Sequence, residues 1–341
     1  YKSDHPEIEL ALVKLYQLTS HDKYLDLAKY LSDHRLADLR YPKNATQYEA
    51  QGHIVGSTYA WCGMTDLLAL QKAPAYRKII DSLWDSVVSR KLYLTGGIGS
   101  RGEHFAADYV LPNSGLEASP PPSVETCGAI AFALWNHRLF HLYGDAKYID
   151  ILERTLYNAV PPNVSLAGDT FTYANPLAHD GKIDFNMGFP DRQPFLPSAC
   201  CPTNVVRFFP QIPSLIYAQE NNDAYVNLFV DSNITLEIAG TPVELRQKTA
   251  YPRDGRIEIV IRERVGRRGP AYQWTYVDKL FHWDGAGFVS VDERYPRYHD
   301  EETLPTLLAG LVDHYDAKQP ILDEKVEAIE KAVDAIAQSP D

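Results

Sequence analysis

Three of the four cysteines in the chain lie in two short motifs that could bind a metal ion. Glu125-Thr-Cys127 offers one carboxylate and one thiolate, and Cys200-Cys201-Pro202 offers two further thiolates. Three sulfur ligands and one oxygen ligand suit a tetrahedral Zn²⁺. The motifs lack the usual pairs of Cys-x-x-Cys, so buried structural cysteines are the alternative at this point. Adjacent cysteines reach one metal only where the backbone is irregular, and we expect Pro202 to supply that irregularity.

A carboxylate at the end of a glycine-rich loop is the second candidate for chemistry. Glu103 lies in Arg101-Gly-Glu-His-Phe105, directly after Gly96-Gly-Ile-Gly99. Beside an activated nucleophile such a carboxylate could act as a general acid and base, whereas a lone loop glutamate is usually solvated. The glycine run lacks the Lys-Ser/Thr of a Walker loop and the preceding strand of a dinucleotide fingerprint. It therefore predicts a chain reversal between helices.

Three single residues have weaker signals. His53 follows Gln51-Gly52 at a helix start, where a helix cap or a buried histidine is the alternative to a binding role. Glu153 is equally consistent with a salt bridge to Arg154 or Lys147, and Tyr173 with simple packing.

Apolar residues recur at helical spacing through the first two thirds of the chain. They predict helices from Pro6 and over 22–33, 53–70, 75–91, 124–143, 145–160 and 203–217. The segment Asp22-Lys-Tyr-Leu-Asp-Leu27 is echoed by Ala146-Lys-Tyr-Ile-Asp-Ile151, each opening a helix after a short turn. Repeated antiparallel helix pairs indicate a helical solenoid or a closed α/α toroid.

The hydrophobic period changes near residue 221. Alternating segments at 224–230, 234–238 and 256–261 predict a β module over 221–265, part of a β-sandwich. Residues 266–341 form a tail without an assigned role, in which helices are predicted over 302–317 and 321–338.

Composition excludes several classes of protein. The 341 residues suggest about two domains. The chain carries 33 basic and 45 acidic residues, a net charge of −12, which disfavours nucleic acid and anionic membranes as partners. No apolar run approaches the length of a membrane span. Four cysteines, two of them adjacent, do not make a disulfide scaffold, so we expect reduced thiols and a cytoplasmic protein.

Taken in order, these motifs resemble glycoside hydrolase family 127, the β-L-arabinofuranosidase group, over about residues 1–265. The matching stretches are His5–Tyr16, Gly52-His53, Tyr93–Ser100, Gly102-Glu103, Asp108–Asn113, Glu125–Cys127, Gly144–Tyr148, Leu152–Asn158, Cys200–Pro202 and Tyr225–Leu228.

The resemblance implies a mainly α fold, with an (α/α)6-type barrel over 1–220 followed by β-sandwich strands and the helical tail. It implies a retaining hydrolase of β-L-arabinofuranosides or related carbohydrates that works through a cysteine thioglycosyl intermediate. The implied Zn²⁺ ligands are Glu125, Cys127, Cys200 and Cys201. The resemblance further assigns Cys200 as nucleophile, Glu103 as general acid and base, and His53, Glu153 and Tyr173 as sugar contacts.

Two departures from the family pattern leave other functions open. Family members carry roughly half a barrel upstream of this start, so we expect the chain to begin in mid-barrel. The stretch Leu116–Pro122 is predicted from the sequence to be a lengthened loop between the acid/base and the zinc ligands. A helical-repeat binding or structural module that keeps the zinc site without turnover is therefore the alternative. A sugar epimerase on an α/α barrel is a third possibility, and a homodimer is one form that the chain could take.

Overall fold

The computed structural model describes residues 6–36, 49–70, 72–112, 124–179, 181–251, 257–265, 275–283 and 288–290. The chain divides into two compact units, Tyr1–Leu215 and Ile216–Asp341. The first unit is helical and the second is built of antiparallel strands. The prediction of a mainly α protein with a β module is confirmed at this level.

Seven helices of two turns or more make up the described part of the first unit. They are α1 (Glu7–Thr19), α2 (Asp22–Leu36), α3 (Ile54–Ala69), α4 (Tyr76–Arg90), α5 (Thr126–Tyr143), α6 (Ala146–Asn158) and α7 (Cys200–Phe208). A single turn, α8 (Pro213–Ile216), leads towards the second unit. Within the described residues, no helix is both long and apolar enough to cross a membrane.

Helices α1, α3, α5 and α7 contact one another in succession, and α2, α4 and α6 pack against this row. α3 and α5 are buried along most of their length, since small residues alternate with large aromatic side chains on them. Trp61 and Trp135 lie 4.9 Å apart between ring centroids, and the Trp135 indole N–H donates to Thr65. This two-layer arrangement agrees with repeated helix pairs, and closure into a six-pair barrel stays a prediction.

Local signals explain where several helices begin and end. α5 ends at Tyr143 and is capped by Gly144, which has a φ of 68° and donates its N–H to Phe140 O. α6 then begins at once, because the Asp145 carboxylate accepts the Lys147 N–H. The predicted bounds of α2 to α6 therefore agree with the observed ones to within about three residues.

The predicted helix over 203–217 is wrong in its bounds. α7 begins at Cys200 and ends at Phe208, so Pro202 lies inside its first turn. A proline is tolerated there because the first N–H groups of a helix have no intrahelical partner. Pro202 therefore does not make the backbone irregular at the cysteine pair, as the sequence led us to expect.

The second unit contains a hairpin and a five-stranded antiparallel sheet among its described residues. The hairpin pairs β1 (Tyr217–Glu220) with β2 (Asp223–Val226). The sheet runs in chain order through β3 (Ser232–Ile238), β4 (Thr241–Thr249), β5 (Ile257–Val265), β6 (Thr275–Trp283) and β7 (Phe288–Ser290). β3 and β4 are joined by Ala239-Gly240, both at positive φ, as a type I′ hairpin turn requires.

β6 and β7 lie in the tail over 266–341, to which the sequence analysis assigned helices further on but no strand or role. β6 is rich in β-branched and aromatic residues, but its charged residues interrupt a simple alternation; pairing with β5 defines it as a strand. The sandwich arrangement stays a prediction. The helices predicted over 302–317 and 321–338, and the lengthened loop predicted at Leu116–Pro122, lie outside the residues that the structure describes.

Candidate active site and metal centre

The four candidate metal ligands lie at the N-terminal ends of two neighbouring helices. Glu125 immediately precedes α5 in an extended conformation, and Cys127 lies in the first turn. Cys200 and Cys201 open α7, which contacts α5. Helix N-termini carry partial positive charge, which favours carboxylates and thiolates. Contact between two helix ends thus brings the two sequence motifs together without the irregular backbone that we expected.

One ligand atom from each of these four residues lies within 4.8 Å of the other three. Cys127 Sγ is 3.3 Å from Cys201 Sγ, and Cys200 Sγ is 3.8 Å from Cys201 Sγ. Glu125 Oε1 is 3.7 Å from Cys201 Sγ and 4.0 Å from Cys200 Sγ. Ligands about 2.3 Å from a tetrahedral Zn²⁺ are separated by roughly 3.8 Å, so these spacings fit that ion. All four cysteines are free thiols.

Glu125 is the clearest sign that the cluster is built for a cation. Its side chain is buried, and its Oε2 atom has no hydrogen-bond partner. Burial, together with smaller contributions from the negative charges of Glu103 and Cys200, raises its pKa to about 8. Buried carboxylates are normally hydrogen-bonded, paired or bound to metal. A divalent cation among these four residues would satisfy the unpartnered oxygen.

The three cysteines of the cluster are not equivalent. Cys127 and Cys201 are buried, and burial raises the pKa of the Cys201 thiol. Cys200 is half-buried, and hydrogen bonds from Cys127 and Cys201 lower its pKa, with smaller contributions from Ser198 and Tyr173. Cys200 is therefore the accessible sulfur and the one that ionises first. A nucleophile needs both properties.

Glu103 lies in a tight turn that the N-terminus of α3 holds in place. Gly102 and Glu103 both have positive φ, and the Glu103 carbonyl accepts the Ile54 N–H at 2.8 Å. His53 caps α3 through Nδ1, which accepts the Gly56 N–H, so its Nε2–H is free to donate. Nε2 lies 2.8 Å from Glu103 Oε2. His53 therefore caps α3, as the sequence suggested, and contacts Glu103 in the site at the same time.

Tyr173 connects Glu103 to the cysteine cluster. Its hydroxyl donates to Glu103 Oε1, and its backbone carbonyl accepts the Thr126 N–H at 3.0 Å beside the start of α5. Hydrogen bonds from His53 and, less strongly, from Tyr173 lower the pKa of Glu103 despite its partial burial. The charge of Cys200 also acts on the pKa values of His53 and Glu103. The structure therefore brings these residues and the four candidate ligands into one site.

Glu153 is the predicted site residue that the structure does not place in this group. It lies half-buried on α6, where its charge raises the pKa of Tyr157, although burial is the larger cause of that shift. Among the described residues, the hydrogen bonds of Glu103 and of the cysteine cluster described above do not involve Glu153. Its role as a sugar contact stays a prediction.

Asn204 contacts the cluster although the sequence did not predict it as a site residue: its Nδ2 donates to Cys127 Sγ at 2.9 Å. The available signal was its position three residues after Cys201, because residues at i and i+3 share a helix face. That signal becomes useful only once the helix is known to begin at Cys200.

Residues 1–214 match the family described as "Beta-L-arabinofuranosidase, GH127 catalytic domain". Residues 223–271 match "Beta-L-arabinofuranosidase, GH127 middle domain". The chain belongs to the GH127 family. The resemblance drawn from the sequence motifs is therefore confirmed.

Three proteins similar to this GH127 chain carry the name of a β-arabinofuranosidase. It is 30% identical over 292 residues to the "Non-reducing end beta-L-arabinofuranosidase" of Bifidobacterium longum subsp. longum, covering 75% of this chain and 43% of that protein. A solved GH127 β-arabinofuranosidase is similar with a TM-score of 0.70 and 36% identity, over 85% of this chain and 51% of the other. The solved structure of a GH127 β-L-arabinofuranosidase from Geobacillus stearothermophilus T6 is similar with a TM-score of 0.68 and 30% identity, over 81% of this chain and 52% of the other.

This GH127 chain spans about half the length of the relatives that it matches. Its share nevertheless includes both cysteine motifs and the Glu103 loop, which lie within the catalytic-domain match.

Proposed function

We propose that the protein is a retaining glycoside hydrolase that cleaves β-L-arabinofuranosides, with a Zn²⁺ held by Glu125, Cys127, Cys200 and Cys201. The observation that carries the proposal is the junction at Tyr173. This residue hydrogen-bonds the carboxylate that could exchange protons and lies against the cluster that contains the accessible thiol. The names of the relatives supply the sugar.

In the first step, the Cys200 sulfur attacks the anomeric carbon of the sugar. A carbon–sulfur bond forms, the bond to the leaving oxygen breaks, and Glu103 gives that oxygen its proton. In the second step, Glu103 takes a proton from water, the water oxygen attacks the same carbon, and Cys200 leaves as thiolate. Two displacements at one carbon retain its configuration. Zn²⁺, when bound, would keep the thiols deprotonated at neutral pH.

The residues around Glu103 suit its two roles. His53 and Tyr173 hydrogen-bond the two oxygens of the carboxylate, and both stabilise its ionised form, which the second step requires. Partial burial acts in the opposite direction and favours the protonated form that the first step requires. Sugar hydroxyls that compete for His53 and Tyr173 would change this balance when substrate binds.

Hydrolysis of p-nitrophenyl β-L-arabinofuranoside by Cys200→Ala, Glu103→Gln and Cys62→Ala variants tests the proposal. Cys62 is a matched control, because it is a buried free cysteine whose thiol lies against Ala131 O. We expect Cys200→Ala to abolish turnover, Glu103→Gln to reduce it by about 10²- to 10⁴-fold, and Cys62→Ala to retain it.

Two further measurements separate the proposal from its alternative. Elemental analysis of the reduced protein should find one zinc per chain, and rapid-quench mass spectrometry should find a pentosyl adduct on the peptide that contains Cys200. Zinc without turnover would fit the non-catalytic binding module. Turnover that survives Cys200→Ala would refute the cysteine mechanism.

A further inference from the structure

Asn204 is a buried amide on α7 that contacts the candidate metal cluster without belonging to it. Its Nδ2 donates to Cys127 Sγ at 2.9 Å. The donor and the sulfur lie on different helices, α7 and α5, so this hydrogen bond joins the two elements that supply the ligands.

The orientation of this amide follows from its other neighbours. Asn204 Oδ1 accepts from Arg207 Nη2 and, at 3.4 Å, from the hydroxyl of Tyr59. A guanidinium has donors only, so the amide oxygen must face Arg207 and the amide nitrogen must face Cys127. Burial raises the pKa of Tyr59, which keeps its hydroxyl protonated as a second donor. The Asn204 amide can therefore present only N–H to the sulfur.

We propose that Asn204 is a positioning residue for the metal ligand Cys127, and that Arg207 and Tyr59 hold it in that role. The inference rests on the zinc centre proposed above. An N–H donated to a ligating sulfur fixes the direction of its remaining lone pairs and stabilises its negative charge. Groups that hydrogen-bond a metal ligand typically change metal affinity by about 10- to 100-fold when they are removed.

Chelator competition on the full chain measures this effect as the dissociation constant for Zn²⁺. Asn204→Ala removes the donor, and Asn204→Asp keeps the size and the partner for Arg207 but turns an oxygen towards Cys127. We expect affinity to fall by about 10- to 100-fold in Asn204→Ala and by more in Asn204→Asp, since the new oxygen repels the sulfur.

Asn136→Ala is the matched control. Asn136 is also a buried amide in the helical unit, but its hydrogen-bond partners are Phe132 O and the Trp84 indole N–H rather than a cysteine sulfur. This variant should unfold more easily than the wild type while its zinc affinity stays unchanged. If the role of Asn204 were purely structural, Asn204→Ala and Asn204→Asp would also lose stability without any change in zinc affinity.

Cobalt substitution supplies a spectroscopic readout that packing alone would not move. Loss of a hydrogen bond to a ligating sulfur raises the energy of the lone pairs of that sulfur. The sulfur-to-cobalt charge-transfer band should therefore shift to longer wavelength in both Asn204 variants and stay unchanged in Asn136→Ala. Unchanged zinc affinity and an unchanged band in folded Asn204→Asp and Asn204→Ala would overturn the inference. Wild-type protein that binds neither metal would instead refute the proposed metal centre, and this inference with it.

Discussion

Glu125→Gln should make the metal-free protein more stable at alkaline pH while it weakens metal binding. Glu125 is 2% exposed, and one of its oxygens has no hydrogen-bond partner. Without a cation, the folded protein therefore resists ionisation of this carboxyl, whereas the unfolded chain ionises it freely. Glutamine has almost the same shape and cannot ionise, so the substitution removes that conflict.

The size of the effect follows from the two pKa values of Glu125. Burial raises the pKa to about 8 in the folded protein, against 4.5 for an ordinary glutamate. Between these values the native state holds a proton that the unfolded chain has released, so the free energy of unfolding falls as pH rises. At 1.36 kcal/mol per pKa unit, the loss of unfolding free energy caused by Glu125 is at most about 5 kcal/mol. This loss is absent below pH 4.5 and reaches its full size above about pH 8. Entry of water around the carboxylate makes this loss smaller, and we expect a stability difference of about 2–5 kcal/mol between wild type and Glu125→Gln at high pH.

The assay is urea unfolding of chelator-treated wild type and Glu125→Gln, followed by circular dichroism at pH values from 5 to 9. The stability difference between the two proteins should be small at pH 5 and should grow in favour of Glu125→Gln towards pH 9. Other titrating groups are common to both proteins and largely cancel in the difference. Excess Zn²⁺ should reverse the order, because a ligand that binds only the folded state stabilises it.

A stability difference that stays constant across this pH range would refute the reasoning. It would mean that Glu125 titrates alike in the folded and unfolded chains, and that its burial is compensated without a metal. An equal gain from Zn²⁺ in wild type and Glu125→Gln would separately exclude Glu125 as a ligand.

Two further predictions concern the surroundings of the site. Hydrogen bonds from His53 and, to a smaller extent, from Tyr173 lower the pKa of Glu103, and Tyr173→Phe removes the second of these donors, so the pKa of Glu103 should rise. The alkaline limb of the pH profile of kcat/KM should then move to higher pH. A limb that does not move would exclude Glu103 as the acid. Gly97→Ala should cost about 1–3 kcal/mol of unfolding free energy, because the new Cβ would lie 2.3 Å from Val124 Cγ1 beside Glu125. Thermal unfolding of Gly97→Ala, Val124→Ala and the double variant tests for this clash. If it exists, the double variant should lose less unfolding free energy than the two single variants lose together, whereas strictly additive losses would contradict it.

Helix existence was readable from the sequence because the signals are local. The apolar period, the Asp145 cap and the terminal Gly144 each act within a few residues, and α2 to α6 follow them closely. β6 was missed because a strand depends on its partner, and β5 supplies hydrogen bonds that no local pattern announces. The start of α7 was misjudged because proline was taken as a breaker, although a first helical turn accepts it.

By itself, the sequence determined which groups are available: three cysteines and one glutamate in two motifs, and a loop carboxylate at Glu103. Their order along the chain was enough to identify the family. Only the tertiary structure decided how they meet, because residues about 75 positions apart become neighbours through the packing of α5 against α7. It also separated the accessible Cys200 from its buried partners and brought Asn204 to the sulfur of Cys127. Burial and hydrogen bonding between distant segments are properties of the folded chain, so local spacing cannot specify them.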